Sequence, residues 1–329
     1  MNFTKKKGSA MNFLENKIKE LSEYLPPMTK RMDFEDFWEE TIQIAKSVDL
    51  RPEFMEYDYP CDQVKVYSIS YNGFDDTRIY GWYIIPVFLK KEKYPCLINY
   101  HGYTGSRGVP ADFMAWAMMG LAVITIDCRG QGGVTGNKAT YSSGITDNVT
   151  NKGILDKYEY YYRHVYMDSL KAIDFAEVCP EVDKDRIIIN GGSQGGALGM
   201  AVSCLDHRHK IAMVDVPSNS NIERRVEGCH GAFTGVKDYL TRYPEHLNKA
   251  YETLSYFDTM NMADKITCKI FASVALKDDV CPAVCYFASY NRITAPKQIE
   301  VYPFNGHDGA NHVQFEKKLR YLRESGILL

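Results

Sequence analysis

No stretch of this chain is long and apolar enough to cross a bilayer, and no signal peptide precedes the first helical segment. A membrane-spanning or exported protein is therefore not expected, and the cytoplasm is the expected compartment. An excess of one charge is missing too. The 329 residues carry 39 Lys and Arg against 42 Asp and Glu, a formal net charge of −3. That balance gives no electrostatic reason to expect nucleic acid, and Lys5–Lys7 is a short basic tail rather than a patch. Internal repeats and low-complexity linkers are absent as well. The nine cysteines are odd in number and scattered, so they read as reduced core residues and not as a disulfide framework. Cys281 and Cys285 could share a helix face, but no further ligands stand near them for a metal.

What is present is ordinary globular composition, 25% charged and 45% hydrophobic. At this length a chain buries roughly three-quarters of its unfolded surface and needs no disulfides. Residues 1–10 read as a flexible leader, and 11–60 as an N-terminal helical extension. Phe13–Tyr24 has helical spacing and stops before Pro26-Pro27. Asp33–Ala45 is a second helix whose Phe34, Phe37 and Trp38 share one face, a stripe expected to pack on the main body. Gln63–Tyr71 and Ile79–Val87 form a hairpin around Asn72-Gly73 and Asp75-Asp76.

Strands then alternate with helices. Strands are expected at Cys96–Tyr100, Ala122–Asp127, Ile187–Ile189, Ile211–Val216, Ile270–Ala275 and Gln298–Tyr302. The helices between and after them are Phe113–Met119, Tyr158–Cys179 and Val313–Arg323. Residues 217–265 read as an irregular, aromatic-rich insertion covering one end of the sheet. A hairpin followed by alternating strands and helices predicts one α/β domain over 1–329, a mostly parallel sheet flanked by helices.

The chemistry is signalled at Ile187–Met200. A β-branched run breaks at Gly191-Gly192-Ser193-Gln194-Gly195, and a small-residue helix follows. G-x-S-x-G between a strand and a helix is a nucleophile elbow. Side chains at Gly191 and Gly195 would collide with the neighbouring strand and helix, while the Gln194 N–H is aimed at an oxyanion beside Ser193 Oγ. Such a serine needs a base and an orienting acid on loops after later strands, in the order Ser, acid, His. The loop after Ile270–Ala275 offers Asp278 and Asp279, and the loop after Gln298–Tyr302 offers His307. His101 sits in the loop whose backbone should give the second oxyanion donor. His207 and His209 are expected to be exposed. No carboxylate or cysteine joins them at ligand spacing, so no metal is expected.

Gly192-Ser193-Gln194-Gly195-Gly196, Arg129-Gly130-Gln131 and Gly306-His307 together resemble carbohydrate esterase family seven, the acetyl xylan esterases and cephalosporin C deacetylases. Phe34–Trp38, His101-Gly102-Tyr103 and Leu276-Lys277-Asp278 extend the likeness to nearly the whole chain from about residue 14. The resemblance implies an α/β-hydrolase fold and a catalytic Ser193, Asp278 and His307. It also implies backbone oxyanion donors at Tyr103 and Gln194, with Arg129 and Gln131 bracing the site. The implied substrates are acetylated xylo-oligosaccharides and other small acetyl esters, with no cofactor, and the implied assembly is a hexamer. One position departs from the family: Asp308 stands where Glu usually follows the histidine. Two rival readings share the fold. A peptidase of the prolyl oligopeptidase type would usually carry a large additional N-terminal domain, for which the stretch before the first hairpin leaves no room. A non-catalytic binding protein with a vestigial triad would leave Ser193 unlabelled by a serine reagent.

Overall fold

The computed structural model describes residues 12–144, 148–228 and 231–328; the expected leader, 1–10, lies outside them. Nine strands form one sheet: β1 Glu53–Tyr57, β2 Lys65–Asn72, β3 Arg78–Ile85, β4 Tyr94–Tyr100, β5 Ala122–Ile126, β6 Val182–Gly192, β7 Ile211–Asp215, β8 Lys269–Ala275 and β9 Lys297–Tyr302. Their spatial order is β1-β2-β3-β5-β4-β6-β7-β8-β9. The first three strands and the β3–β5 pair run antiparallel, and every remaining pairing is parallel. This is the expected α/β architecture.

The parallel strands read as continuous apolar runs because both faces of the sheet are covered. In β6, Ile187 and Ile189 enter the core on one side while Ile188 enters the core on the other. Cys96, Leu97 and Ile98 of β4 alternate in the same way, as do Ala212, Met213 and Val214 of β7. Burying one large aliphatic side chain of this kind is worth roughly 1.5–3 kcal/mol, so the two-sided core dominates the stability of the sheet. Helices Tyr161–Val178 and Gln194–Leu205 pack on the first face, and helices Met114–Met118 and Asn311–Glu324 on the second.

The aromatic stripe of helix Phe34–Ser47 is buried against the main body. Trp38 stacks on Tyr166 with centroids 5.9 Å apart, and its Nε1 donates to the Tyr256 carbonyl at 3.1 Å. A buried ion-pair network ties the hairpin to the long helix. Arg129, fully buried, grips Asp168 through Nε at 2.6 Å and Nη2 at 2.8 Å, and reaches Asp75 at 2.8 Å. Asp168 also accepts the Phe74 N–H at 2.9 Å.

Three expectations are corrected. The N-terminal stretch is not wholly helical, because Glu53–Tyr57 pairs with β2 as an edge strand. All five of its residues are exposed, so no buried face imposes an alternating pattern. Residues 217–265 are not irregular: they hold helices Ile222–Glu227, Thr234–Arg242 and Leu247–Ser255. Helices of 6 to 9 residues are too short to display a periodic stripe. A further helix, Ala283–Tyr290, follows β8. Finally, His209 is buried and bonds Ser203 Oγ at 2.9 Å, while His207 is exposed as expected.

Asp168→Ala should destabilise the protein by about 3–5 kcal/mol, since it leaves Arg129 buried without its main counter-charge. Asp75→Asn should cost clearly less, because the Asp75 side chain keeps 26% of its exposure. Chemical denaturation of the two variants would show the ranking, and equal losses would contradict it.

Candidate active site

The site is built where β6 gives way to helix Gln194–Leu205. Ser193 has φ 56 and ψ −118, a left-handed conformation that is rare and strained for a residue with a side chain. The two glycines make it attainable. A Cβ on Gly195 would lie 2.0 Å from the Tyr100 carbonyl oxygen, and one on Gly191 would lie 2.4 Å from the backbone of Gly195. Backbone bonds then pin the turn. The Ser193 N–H donates to Asp215 O at 2.9 Å, and Ser193 O accepts from Ala197 at 3.0 Å and from Ser218 at 3.0 Å. Ala197 is the first amide to close onto the turn, so the preceding amides, including Gln194, sit among the unpaired donors of a helix start.

His307 lies in the turn after β9. Its Nε2 is 2.9 Å from Ser193 Oγ, and its Nδ1 is 2.9 Å from Asp278 Oδ2. Asp278, in the turn after β8, has a fully buried carboxylate. Its Oδ1 accepts the N–H groups of Val280 at 2.9 Å and Cys281 at 2.7 Å. Those bonds hold the carboxylate in one orientation and leave Oδ2 to the imidazole. Asp279 is exposed and lines a neighbouring cavity. Asp308 fastens the histidine turn by accepting from Asn305 at 2.9 Å, Gly306 at 2.9 Å and Ala310 at 3.2 Å.

Electrostatics follow from these contacts. The bonds to Asp278 and then Cys281 push the His307 imidazolium well above its ordinary value, against the opposing effect of burial. Burial alone would raise the Cys281 thiol, but Arg225 and His307 outweigh it and bring it below its usual value. His101 behaves differently. Its Nε2 accepts the Cys128 N–H at 2.8 Å and its Nδ1 donates to Gly102 O at 2.7 Å, and burial lowers its pKa. It is a neutral brace that ties the loop after β4 to the loop after β5.

Gln131 bridges the two segments that carry Tyr103 and Gln194. Its Oε1 accepts the Thr104 N–H at 2.8 Å, while its Nε2 donates to Gln194 Oε1 at 2.9 Å and to the Tyr161 hydroxyl at 2.8 Å. Tyr162 OH also donates to Gln194 Oε1, at 3.1 Å. Arg129 lies behind this layer, with its carbonyl bonded to Tyr161 at 2.7 Å. A cavity of 230 Å³ opens over Ser193 and His307, walled by Tyr103, Tyr162, Ala232 and Val280 among others. Sequence reasoning missed Tyr162, Ser218, Arg225 and Cys281 in this lining. Tyr162 sits on a long helix with no motif around it, and Ser218 and Arg225 fall in the segment read as irregular. Among the described residues, no cluster of three His, Cys, Asp or Glu side chains could hold a metal ion.

Comparison with known proteins gives a consistent result. The acetyl xylan esterase family model matches residues 11–325. An acetyl xylan esterase structure from a Paenibacillus species is 38% identical with a TM-score of 0.89, covering 93% of this chain and 99% of its own. Another, from a Thermoanaerobacterium species, is 29% identical with a TM-score of 0.86, covering 92% and 98%. The acetyl esterase Axe7A of Xylanibacter ruminicola is 27% identical over 308 residues, 90% of this chain and 68% of that protein.

Two outcomes test the geometry. Asp278→Asn should cut turnover by up to about ten-thousandfold, since the amide keeps the shape without stabilising the imidazolium. Asp279→Asn should have little effect, and the reverse ranking would move the acid by one residue. The pH profile has a definite sign. General-base action needs neutral His307, whose raised pKa keeps it protonated to higher pH, so the acid limb of kcat/KM should lie above the ordinary histidine value of about 6.5. In Asp278→Asn that limb should move to lower pH, and a shift to higher pH would contradict the assignment.

Proposed function

The chain belongs to the acetyl xylan esterase family and hydrolyses acetyl esters, and we propose that it does so through an acetyl-serine intermediate on Ser193. The reading rests on one observation above all, the unbroken hydrogen-bonded chain from Ser193 Oγ through His307 to a buried Asp278. His307 takes the Ser193 proton as Oγ attacks the acetyl carbonyl. The oxyanion is met by the backbone N–H groups of Tyr103 and Gln194, which Gln131 and the elbow hold in register. His307 then gives its proton to the departing alcohol. Water, activated by the same imidazole, attacks the acetyl-enzyme and frees acetate.

Acetylated xylo-oligosaccharides are the proposed substrates, with acetyl esters of the cephalosporin C type also admitted. A hexamer is the proposed assembly. A reducing, cytoplasmic setting fits the eight free thiols among the described residues. No described helix is long and apolar enough to cross a membrane. Light scattering on the purified protein tests the assembly.

The 230 Å³ cavity supports selectivity for a short acyl group. Forcing a longer chain against packed walls costs about 1–3 kcal/mol, a loss of roughly five- to hundredfold in rate. Efficiency on p-nitrophenyl esters should therefore fall from acetyl to butyryl and be very low at octanoyl. A lipase-like groove would gain about 0.8 kcal/mol per buried methylene and give the opposite slope. A profile that rises toward octanoyl sinks the deacetylase reading.

A further inference from the structure

Helix Ile222–Glu227 carries a buried arginine that the reaction above does not use. Arg225 is 4% exposed, yet among the described residues its guanidinium meets no carboxylate. It donates to the Val280 carbonyl at 2.6 Å, to Ser218 Oγ at 2.7 Å and to Cys281 Sγ at 3.3 Å. It also lies over the Phe233 ring, 4.9 Å from the centroid. Three acceptors, none of them a carboxylate, and an aromatic face fix the position of the group. Such a guanidinium is placed for the space it fills.

That space lies between two cavities. Arg225 and Val280 line the 230 Å³ cavity over Ser193 and His307. The same two residues line a second cavity of 590 Å³, whose other walls include Asp279, Pro282 and Cys285. Residues common to two cavities form the partition between them, and the Arg225–Val280 hydrogen bond joins its two halves. Val280 is tightly backed: a Cβ on Gly231 would come within 2.6 Å of Val280 Cγ1. The backbone there has no room to spare.

We propose that Arg225, closed against Val280, is the residue that confines the acyl group to acetyl size. The inference rests on the deacetylase reading and names what enforces it. A longer acyl chain must pass where the guanidinium stands. Displacing it breaks three hydrogen bonds and strips Ser218 Oγ and the Val280 carbonyl of their donor in a buried place, which is unfavourable. With the side chain cut back, the catalytic cavity opens into the larger one.

The test compares p-nitrophenyl acetate, butyrate and octanoate on the full chain and on two variants. Arg225→Ala should raise the butyrate-to-acetate ratio of kcat/KM by about tenfold or more, the scale on which one or two methylenes are discriminated in an apolar pocket. Arg225→Met keeps an unbranched side chain of similar reach but has no donors. It still fills the space but is displaced without breaking hydrogen bonds, so it should raise the ratio clearly less than Ala does, while lowering turnover on every ester because the loop presenting Asp278 loses its anchor. A folded Arg225→Ala with an unchanged ratio overturns the proposal, and so does Arg225→Met raising the ratio as far as Ala does. Should Arg225→Ala not fold, Val280→Ala thins the other half of the partition and keeps the carbonyl that Arg225 bonds. Its ratio should rise as well, and no rise overturns the proposal. A parent profile that climbs toward octanoate overturns the deacetylase reading itself, whereas a falling parent profile with unresponsive variants overturns only the role of Arg225.

Discussion

A serine held in a left-handed turn between two glycines is the constraint on which the rest depends. Ser193 stands off the sheet only because β6 and the following helix approach each other backbone to backbone at Gly191 and Gly195. The strain is local, and the surrounding structure over-determines it. Asp215, Ser218 and Ala197 each hold one end of the serine peptide, and the buried strands beneath cannot shift to relieve it. The cost of the turn is returned as position. Oγ stands at the carboxyl end of the sheet, and the loops after β4, β8 and β9 converge there, as expected for sites of open α/β sheets.

Each converging loop is fixed by polar contacts as well as by packing. Two amides orient Asp278, three bonds to Asp308 shape the histidine turn, and Gln131 spans from Thr104 to Gln194. Of these groups the Asp278 carboxylate is fully buried, and a buried charge is expensive unless paired, so its bonds to the two amides and to His307 either form or cost stability. The same reasoning explains why Arg129 and Gln131, two residues of one motif with Gly130 between them, do different things. Arg129 faces the core and binds the hairpin to the long helix, whereas Gln131 faces the site and bridges the segments that carry Tyr103 and Gln194.

Much of this was legible in the sequence because it is local. The elbow is a five-residue pattern, the parallel strands are apolar runs, and the acid and histidine follow strands in a required order. Asp278 and Asp279 could not be separated by spacing; family resemblance favoured Asp278, and the structure shows its carboxylate turned inward to His307. What escaped is non-local. Glu53–Tyr57 joins the sheet through its backbone with no buried face to mark it, and the helices within 217–265 are too short to show a period. His209 is polar in a charged loop, and its burial comes from a contact to Ser203 that no nearby residue announces. Arg225 reads as one more charge in an irregular segment until the fold sets Val280 and Ser218 against it.

The account turns on a covalent acetyl group at Ser193. Rapid acid quench of the enzyme during turnover of p-nitrophenyl acetate, followed by intact-mass and peptide mass spectrometry, reads that bond directly. The account predicts one added acetyl per chain, carried by the peptide that contains Ser193 and absent in Ser193→Ala. Full hydrolysis with no acetylated enzyme in Ser193→Ala, or an acetyl group carried by a different peptide, would contradict it.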